Sequence, residues 1–308
     1  MRIVSLLPSA TEIVCALGYG DLLVGRSHEC DHPPSVSELP VCSRPRITID
    51  ASGAAIDHSV RTIVSQGLSV YEIDEETLRS LAPDFIVTQT QCEVCAVSER
   101  DVEQAVRDWL DGEAEIISLH PNRLEDVWSD IIRVAAALGN RRNGEDVVAT
   151  LRERMSGIAN AMGALERRPR VATIEWIEPL MAGGNWMPEL VEMAGGENLF
   201  GEVGEHSPWM SFDALREACP DVIVVSPCGF DLARTRAEMT PLTDLPEWQT
   251  LEAVENGQVY LADGHNFFNR PGPRLVESLE ILTEMLHPES AASRHRGEAW
   301  APLQVIDL

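Results

Sequence analysis

Arg2-Ile3-Val4-Ser5-Leu6-Leu7-Pro8-Ser9-Ala10-Thr11-Glu12 reads as a strand, a turn and the start of a helix. Residues 2–6 are apolar and too few for a helix, so they read as a strand. Pro8-Ser9 turns the chain, and Ser9 is placed to cap a helix with Glu12 at the N3 position of a capping box. Ile13, Val14 and Leu17 carry that helix to its stop at Gly18. The pattern recurs downstream. Residues 21–25 read as a second strand. Residues 84–88 read as a third, after a helix that carries Leu78 and Leu81 and stops at Pro83. Residues 115–119 read as a fourth. Helices between strands predict a mostly parallel sheet covered on both faces.

Residues 123–138 form an amphipathic helix ending at Gly139, and a second helix follows over about 143–165. Val147, Leu151, Met155, Ile158 and Met162 fall three or four apart in it and make one apolar stripe. At 1.5 Å per residue this helix spans roughly 35 Å, long enough to join two lobes as a strut. After Arg167-Arg168-Pro169 the alternation restarts, with strands over 170–174, 221–225 and 258–261 and helices over 187–194, 213–218 and 273–286. The expected class is α/β, with two Rossmann-like lobes of mostly parallel sheet joined by one long backbone helix. The expected divisions are an N-terminal lobe over 1–142, the linking helix over 143–166, a C-terminal lobe over 167–287 and a loose tail over 288–308.

The chain has 308 residues, of which 44% are hydrophobic, enough for one large domain or two ordinary ones. Its formal charge is −26, and all 24 basic residues are arginine. Such acidity argues against nucleic acid or an anionic membrane as partner, because phosphate binding needs clustered cations. No apolar run approaches the roughly 18 residues of a membrane helix. Arg2 is followed at once by a stretch too short for a secretory h-region, so the chain as written reads as cytoplasmic. A mature chain from which a leader had been removed would read the same, and would work in the periplasm or outside the cell.

In open α/β sheets ligands bind beyond the carboxyl ends of the strands. The loops expected there hold Pro8 and Ser9, then Arg26-Ser27-His28-Glu29-Cys30-Asp31-His32, then Gln89 to Cys95, then His120. In the second half they hold Glu175-Trp176, then Pro227-Cys228-Gly229-Phe230, then Gly264 to Arg270. Four of the seven cysteines, Cys30, Cys92, Cys95 and Cys228, lie in such loops together with His28. Thiolate and imidazole suit zinc or an iron–sulfur cluster. A single Cys-x-x-Cys also fits redox use, and the same residues can be ordinary reduced cysteines near loops. Cys15, Cys42 and Cys219 read as packing residues. Trp176, Trp186, Trp209, Phe230, Phe267 and Phe268 all fall in second-half loops, where aromatics line pockets for large planar ligands or pack locally. Nucleophile-elbow, phosphate-loop and His-Glu-x-x-His motifs are missing.

Several stretches together resemble the class III periplasmic binding proteins, which capture cobalamin and ferric siderophores for ABC transporters. They are Ile3 to Glu12, Leu23-Val24-Gly25, Cys30-Asp31-His32-Pro33-Pro34 and Leu81 to Val87. In the second half they are Pro188 to Phe200, Cys219 to Val225 and Arg270 to Arg274. The chain looks closest to a leaderless cobalamin-binding-like branch. The resemblance implies two lobes joined by a long helix, no catalysis, and a corrinoid or other metal chelate captured in the cleft between the lobes. It also implies an ABC permease as partner, docked through acidic residues. By motif position it places Phe268 and Arg270, and the loops of Gln89 and Trp176, against the ligand. With the strand-end and aromatic residues added, the expected ligand contacts are Pro8, Ser9, Gln89, Trp176, Trp186, Phe230, Phe268 and Arg270. The alternative is a cytosolic metalloprotein or redox enzyme in which Cys30, Cys92, Cys95, Cys228 and His28 hold zinc or an iron–sulfur cluster.

Overall fold

The architecture is that of a computed structural model, which describes residues 1–65, 70–89, 114–165, 167–289, 291 and 293–303. The chain divides into two compact units. Unit 1 is Met1–Pro121 with Glu125–Thr150, and unit 2 is Asn122–Leu124 with Leu151–Leu308.

Unit 1 opens with β1 (Ile3–Ser5), α1 (Pro8–Ala16) and β2 (Leu23–Arg26). It continues with β3 (Ser43–Pro45), α2 (Gly53–Ser65), β4 (Tyr71–Ile73), α3 (Glu75–Leu81), β5 (Phe85–Gln89), β6 (Glu115–Leu119) and α4 (Leu124–Ala137). Four strands form one sheet in the order β2-β1-β5-β6, every pair parallel. The sheet interior is apolar because Ile3, Val4, Ile86 and Val87 are shut away on both faces. The antiparallel pair β3–β4 was not expected; it is three residues a side and carries little hydrophobic alternation.

Two local expectations change. Ser9 does not cap α1: the cap is Leu7, which makes no side-chain hydrogen bond, and Pro8 takes the first helical position. Proline's fixed φ starts the helix one residue before the serine can. The second strand also begins later, at Leu23, because a 3₁₀ turn occupies Gly20–Leu22.

Helix α5 (Arg141–Gly163) begins in unit 1 and ends in unit 2, whose first residue on this helix is Leu151. Its buried residues include Gly144, Val148, Met155 and Met162, so the stripe enters through Val148 rather than Val147. Gly144 explains the shift. A Cβ there would lie 2.6 Å from the Ala135 side chain and 3.0 Å from the Ile132 backbone, so only glycine lets α5 press against α4.

Unit 2 continues with β7 (Arg170–Trp176), β8 (Met181–Ala182), α6 (Met187–Met193), β9 (Glu197–Asn198), α7 (Phe212–Glu217) and β10 (Val222–Val225). Then come α8 (Leu232–Ala237), two single-turn helices at Thr240–Thr243 and Glu252–Glu255, β11 (Val259–Ala262), α9 (Leu275–Leu286) and β12 (Trp300–Pro302). The sheet order is β12-β11-β10-β7-β8, with β9 also paired to β7. Strands β7, β10 and β11 run parallel, while β8 and β12 are antiparallel edges.

The expected loose tail is corrected in part. Ala299 and Trp300 are buried, and β12 pairs with β11. The anchor is Glu284 of α9, a buried carboxylate that accepts from Arg294 N (2.7 Å), His295 N (3.1 Å) and Trp300 Nε1 (2.8 Å). The contact joins α9 to a turn and strand 10 to 16 positions on, beyond the reach of helical or strand periodicity.

Candidate functional site

In each unit the chemistry-bearing side chains gather beyond the carboxyl ends of parallel strands. In unit 2 those ends are Trp176, Val225 and Ala262. The loop after β10 is tied down by Cys228 N donating to Glu175 O (3.2 Å) and by Asp231 Oδ1 accepting from Arg234 N (2.7 Å) to cap α8. Beyond β11 the chain makes a π-helical turn, Gly264–Phe268, capped by Asp263, whose Oδ1 accepts from Asn266 N at 2.8 Å. The two loops then lock. Asn269 Nδ2 donates to Ser226 O (3.2 Å) and Gly264 O (3.0 Å), and His265 N donates to Phe230 O (3.0 Å). A Cβ on Gly264 would lie 2.2 Å from Pro227 O, so glycine is required for this closure.

The lock fixes the aromatic side chains. Trp176 is half-buried, its ring 5.2 Å from that of buried Phe230, with its Nε1 donating to Glu178 O at 3.1 Å. The Arg234 guanidinium lies 3.9 Å over the Phe230 ring. Trp186 Nε1 donates to Phe268 O at 2.9 Å, and Phe268 is only 2% exposed. Arg270 is 4% exposed with its guanidinium 2.9 Å from His265 Nε2. Phe267 turns elsewhere, under the Arg274 guanidinium at 4.4 Å. Trp209 is absent from the expected ligand contacts, yet it is 55% exposed and bridges Met181, the residue paired with Trp176. Its strand-end position follows from β8 folding back on β7, which the sequence does not signal.

In unit 1, Pro8 and Ser9 follow β1, and Gln89 closes β5; Ser9 and Gln89 are buried. The β2 loop is organised by Arg26, which donates to Ser27 O, Cys30 O and Ser37 O, each at 3.0 Å. Within it Cys30 is buried, accepting from Thr11 Oγ1 at 3.0 Å and lying 3.2 Å from Ser27 Oγ. Burial pushes its thiol above the usual range. His28 turns toward other partners, with Nδ1 3.0 Å from Ser43 Oγ and its ring 5.0 Å from Tyr71. Burial first, then the Arg26 charge, drives its pKa down to about 4. Cys228 is half-buried in unit 2, and Cys92 and Cys95 lie outside the described residues. Among the described residues no three His, Cys, Asp or Glu side chains group as metal ligands. The zinc or iron–sulfur alternative therefore finds no support here.

Residues 3–265 match the family model described as periplasmic binding protein. The chain belongs to this family. Curated periplasmic binding protein relatives include a vitamin B12-binding protein of Vibrio parahaemolyticus, 23% identical across 92% of this chain and 88% of the relative. An uncharacterised ABC transporter substrate-binding lipoprotein of Bacillus subtilis is 20% identical across 94% of this chain and 81% of the relative. Among solved structures, the periplasmic heme-binding protein of Roseiflexus sp. RS-1 superposes with a TM-score of 0.69 at 22% identity, covering 94% of this chain and 98% of that one. The periplasmic vitamin B12-binding protein of Vibrio cholerae gives 0.65 at 23% identity, covering 92% and 96%. The shared fold is thus that of periplasmic binding proteins, two α/β units with mostly parallel sheets. Among the described residues no helix is long and apolar enough to cross a membrane.

Proposed function

We propose that the chain is a non-catalytic capture protein of an ABC importer, binding a corrinoid or heme-type metal chelate at its strand-end loops and releasing it to a permease. The observation that carries this reading is the cluster in unit 2. Trp176 lies against Phe230, Trp186 is pinned to Phe268, and Arg270 is buried beside His265. Half-buried Trp176, backed by Phe230, offers an open ring face on which a planar macrocycle can stack. A desolvated guanidinium offers a charge-assisted partner to an anionic substituent. Loops locked before binding reduce the ordering cost of capture. Relatives named for vitamin B12 and for heme support this ligand class, and a lipoprotein relative named for ABC transport supports the permease as partner. Those names also favour work in the periplasm or at the outer surface over the cytoplasm.

The test is a titration of the full chain with cyanocobalamin, hemin and a ferric siderophore, read by tryptophan fluorescence and calorimetry. Saturable one-to-one quenching by one of them, largely lost in Trp176→Ala, is expected. No heat and no quenching by any of the three at tens of micromolar refutes the reading.

A further inference from the structure

In unit 2, strand β8 stands between β7 and residues 207–210 and lines up Trp176, Met181 and Trp209 in one row. Ala182 N donates to Pro208 O and Met210 N to Leu180 O, each at 3.0 Å. Those bonds flank Met181 and Trp209, which makes them a close pair whose side chains share a face. Leu180 and Met210 pack into the core that holds Ile174, so Met181 and Trp209 point to the opposite face. Trp176 would follow Ile174 into the core but for one extra residue. The register shifts between Ile174, opposite Ala182, and Trp176, opposite Met181, so Glu175 is the added residue of a bulge. A bulge re-aims the side chains beside it. The two indoles therefore stand on one face, two strand spacings or about 10 Å apart. Glu175 also ties the row down. Its carbonyl accepts from Cys228 N at 3.2 Å, in the loop that carries Phe230. Its Oε2 accepts from Ser207 Oγ at 2.8 Å, two residues before Trp209. Ser207 is 4% exposed, and its hydroxyl also accepts from Gly184 N at 3.1 Å, so its donor and acceptor roles are both used. A Cβ on Gly184 would lie 2.5 Å from Ser207 N, so glycine is required for this approach.

We propose that Glu175 is a positioning residue for capture, holding Trp209 through Ser207 so that one planar chelate stacks across both indoles. Apolar burial does little to hold the segment that leads to Trp209. Val203 is 46% exposed, Trp209 itself is 55% exposed, and Glu205 and His206 are exposed as well. A segment of that kind must be ordered when the ligand binds, and the ordering weakens capture. The bond from Ser207 to Glu175 orders it beforehand. Without that bond only a fraction of the chains presents both indoles, and the apparent affinity falls by that fraction. The loss then falls on association, because fewer encounters find the row assembled. Trp209 makes the contact itself, so its removal falls on dissociation instead. This inference rests on the chelate-capture reading and assigns how its aromatic face is held.

The test follows hemin and cyanocobalamin binding to the full chain by stopped-flow tryptophan quenching, with circular dichroism and thermal melting to check each fold. Ser207→Ala is expected to weaken binding by about tenfold, a difference of about 1.4 kcal/mol, nearly all of it in the association rate. Glu175→Ala should match it. Glu175→Gln keeps an oxygen that accepts from Ser207, so it should stay within about threefold of the parent chain. Trp209→Ala should weaken binding chiefly through faster dissociation. With Trp209→Ala already in place, Ser207→Ala should cost less than about twofold, because the residue it positions is gone. Should Glu175→Ala fail to melt cooperatively, Ser207→Ala and Glu175→Gln carry the comparison. The proposal is overturned, with chelate capture intact, by a Ser207→Ala loss below about twofold or one carried by dissociation. It is equally overturned by an undiminished Ser207→Ala loss without Trp209, or by Glu175→Gln binding as weakly as Ser207→Ala. Binding of neither probe by the parent chain overturns both.

Discussion

Unit 1 holds two titratable groups, half-buried His28 and buried Asp130, whose effects on stability run in opposite directions with pH. His28 has its pKa lowered from 6.5 to about 4, by burial first and then by Arg26. Asp130 on α4 has its pKa raised from 3.8 to about 6 by burial, although its Oδ2 accepts from His120 N at 2.8 Å and its Oδ1 lies 2.9 Å from Arg133. Between pH 6.5 and 4 the unfolded chain protonates His28 and the folded chain does not, so acidification removes stability. Between pH 6 and 3.8 the folded chain protonates Asp130 and the unfolded chain does not, so acidification adds stability. At 1.36 kcal/mol per unit, each group spans about 3 kcal/mol. From pH 6 to 4 the two nearly cancel. Asp130→Asn keeps an acceptor for His120 N and removes the titration, so unit 1 should lose about 3 kcal/mol as pH falls from 6.5 to 4. His28→Gln should do the reverse and gain about as much between pH 6 and 4. The assay is urea unfolding at fixed pH steps, followed by hydrogen exchange of peptides from β1 and β5 so that unit 1 is read separately. If both variants show the pH profile of the parent chain, the opposed titration is wrong. Slopes of the opposite sign would mean that the causes assigned to the two shifts are wrong.

Three further outcomes follow from single contacts. Glu284→Ala strips the acceptor from three donors and should destabilise unit 2 by about 3 kcal/mol, read as a lowered melting transition and faster exchange over 294–300; a loss under about 1 kcal/mol would refute the anchoring role. Gly264→Ala forces a methyl against Pro227 O, so the β11 loop must move, and chelate affinity should fall by more than about tenfold with secondary structure intact by circular dichroism. Arg154→Ala removes a two-pronged pair with Glu280, at 3.0 and 2.7 Å, but the guanidinium is half in water, so urea unfolding should shift by less than about 1 kcal/mol.

Much of the fold is local physics and was legible in the residues. Strand–turn–helix punctuation at Pro8, Gly18, Pro83 and Gly139 marks alternating elements, and alternation forces parallel strands. The apolar stripe from Leu151 through Met155 to Met162 marks the long helix α5. Strand ends could therefore be named, and with them the loops of Trp176, Phe230 and Arg270. What the residues could not state is which way each side chain turns once loops from different strands meet. Cys30 and His28 lie two apart in one loop, yet the first is held by Thr11 from α1 and the second faces Ser43 and Tyr71 from the β3–β4 pair. Glu284 was one acid among many until burial brought three donors to it. Composition and periodicity determine which segments become strands and helices, because those preferences act over a few neighbouring residues. The locked loops of unit 2 were decided only by tertiary structure, because they depend on contacts between residues tens of positions apart.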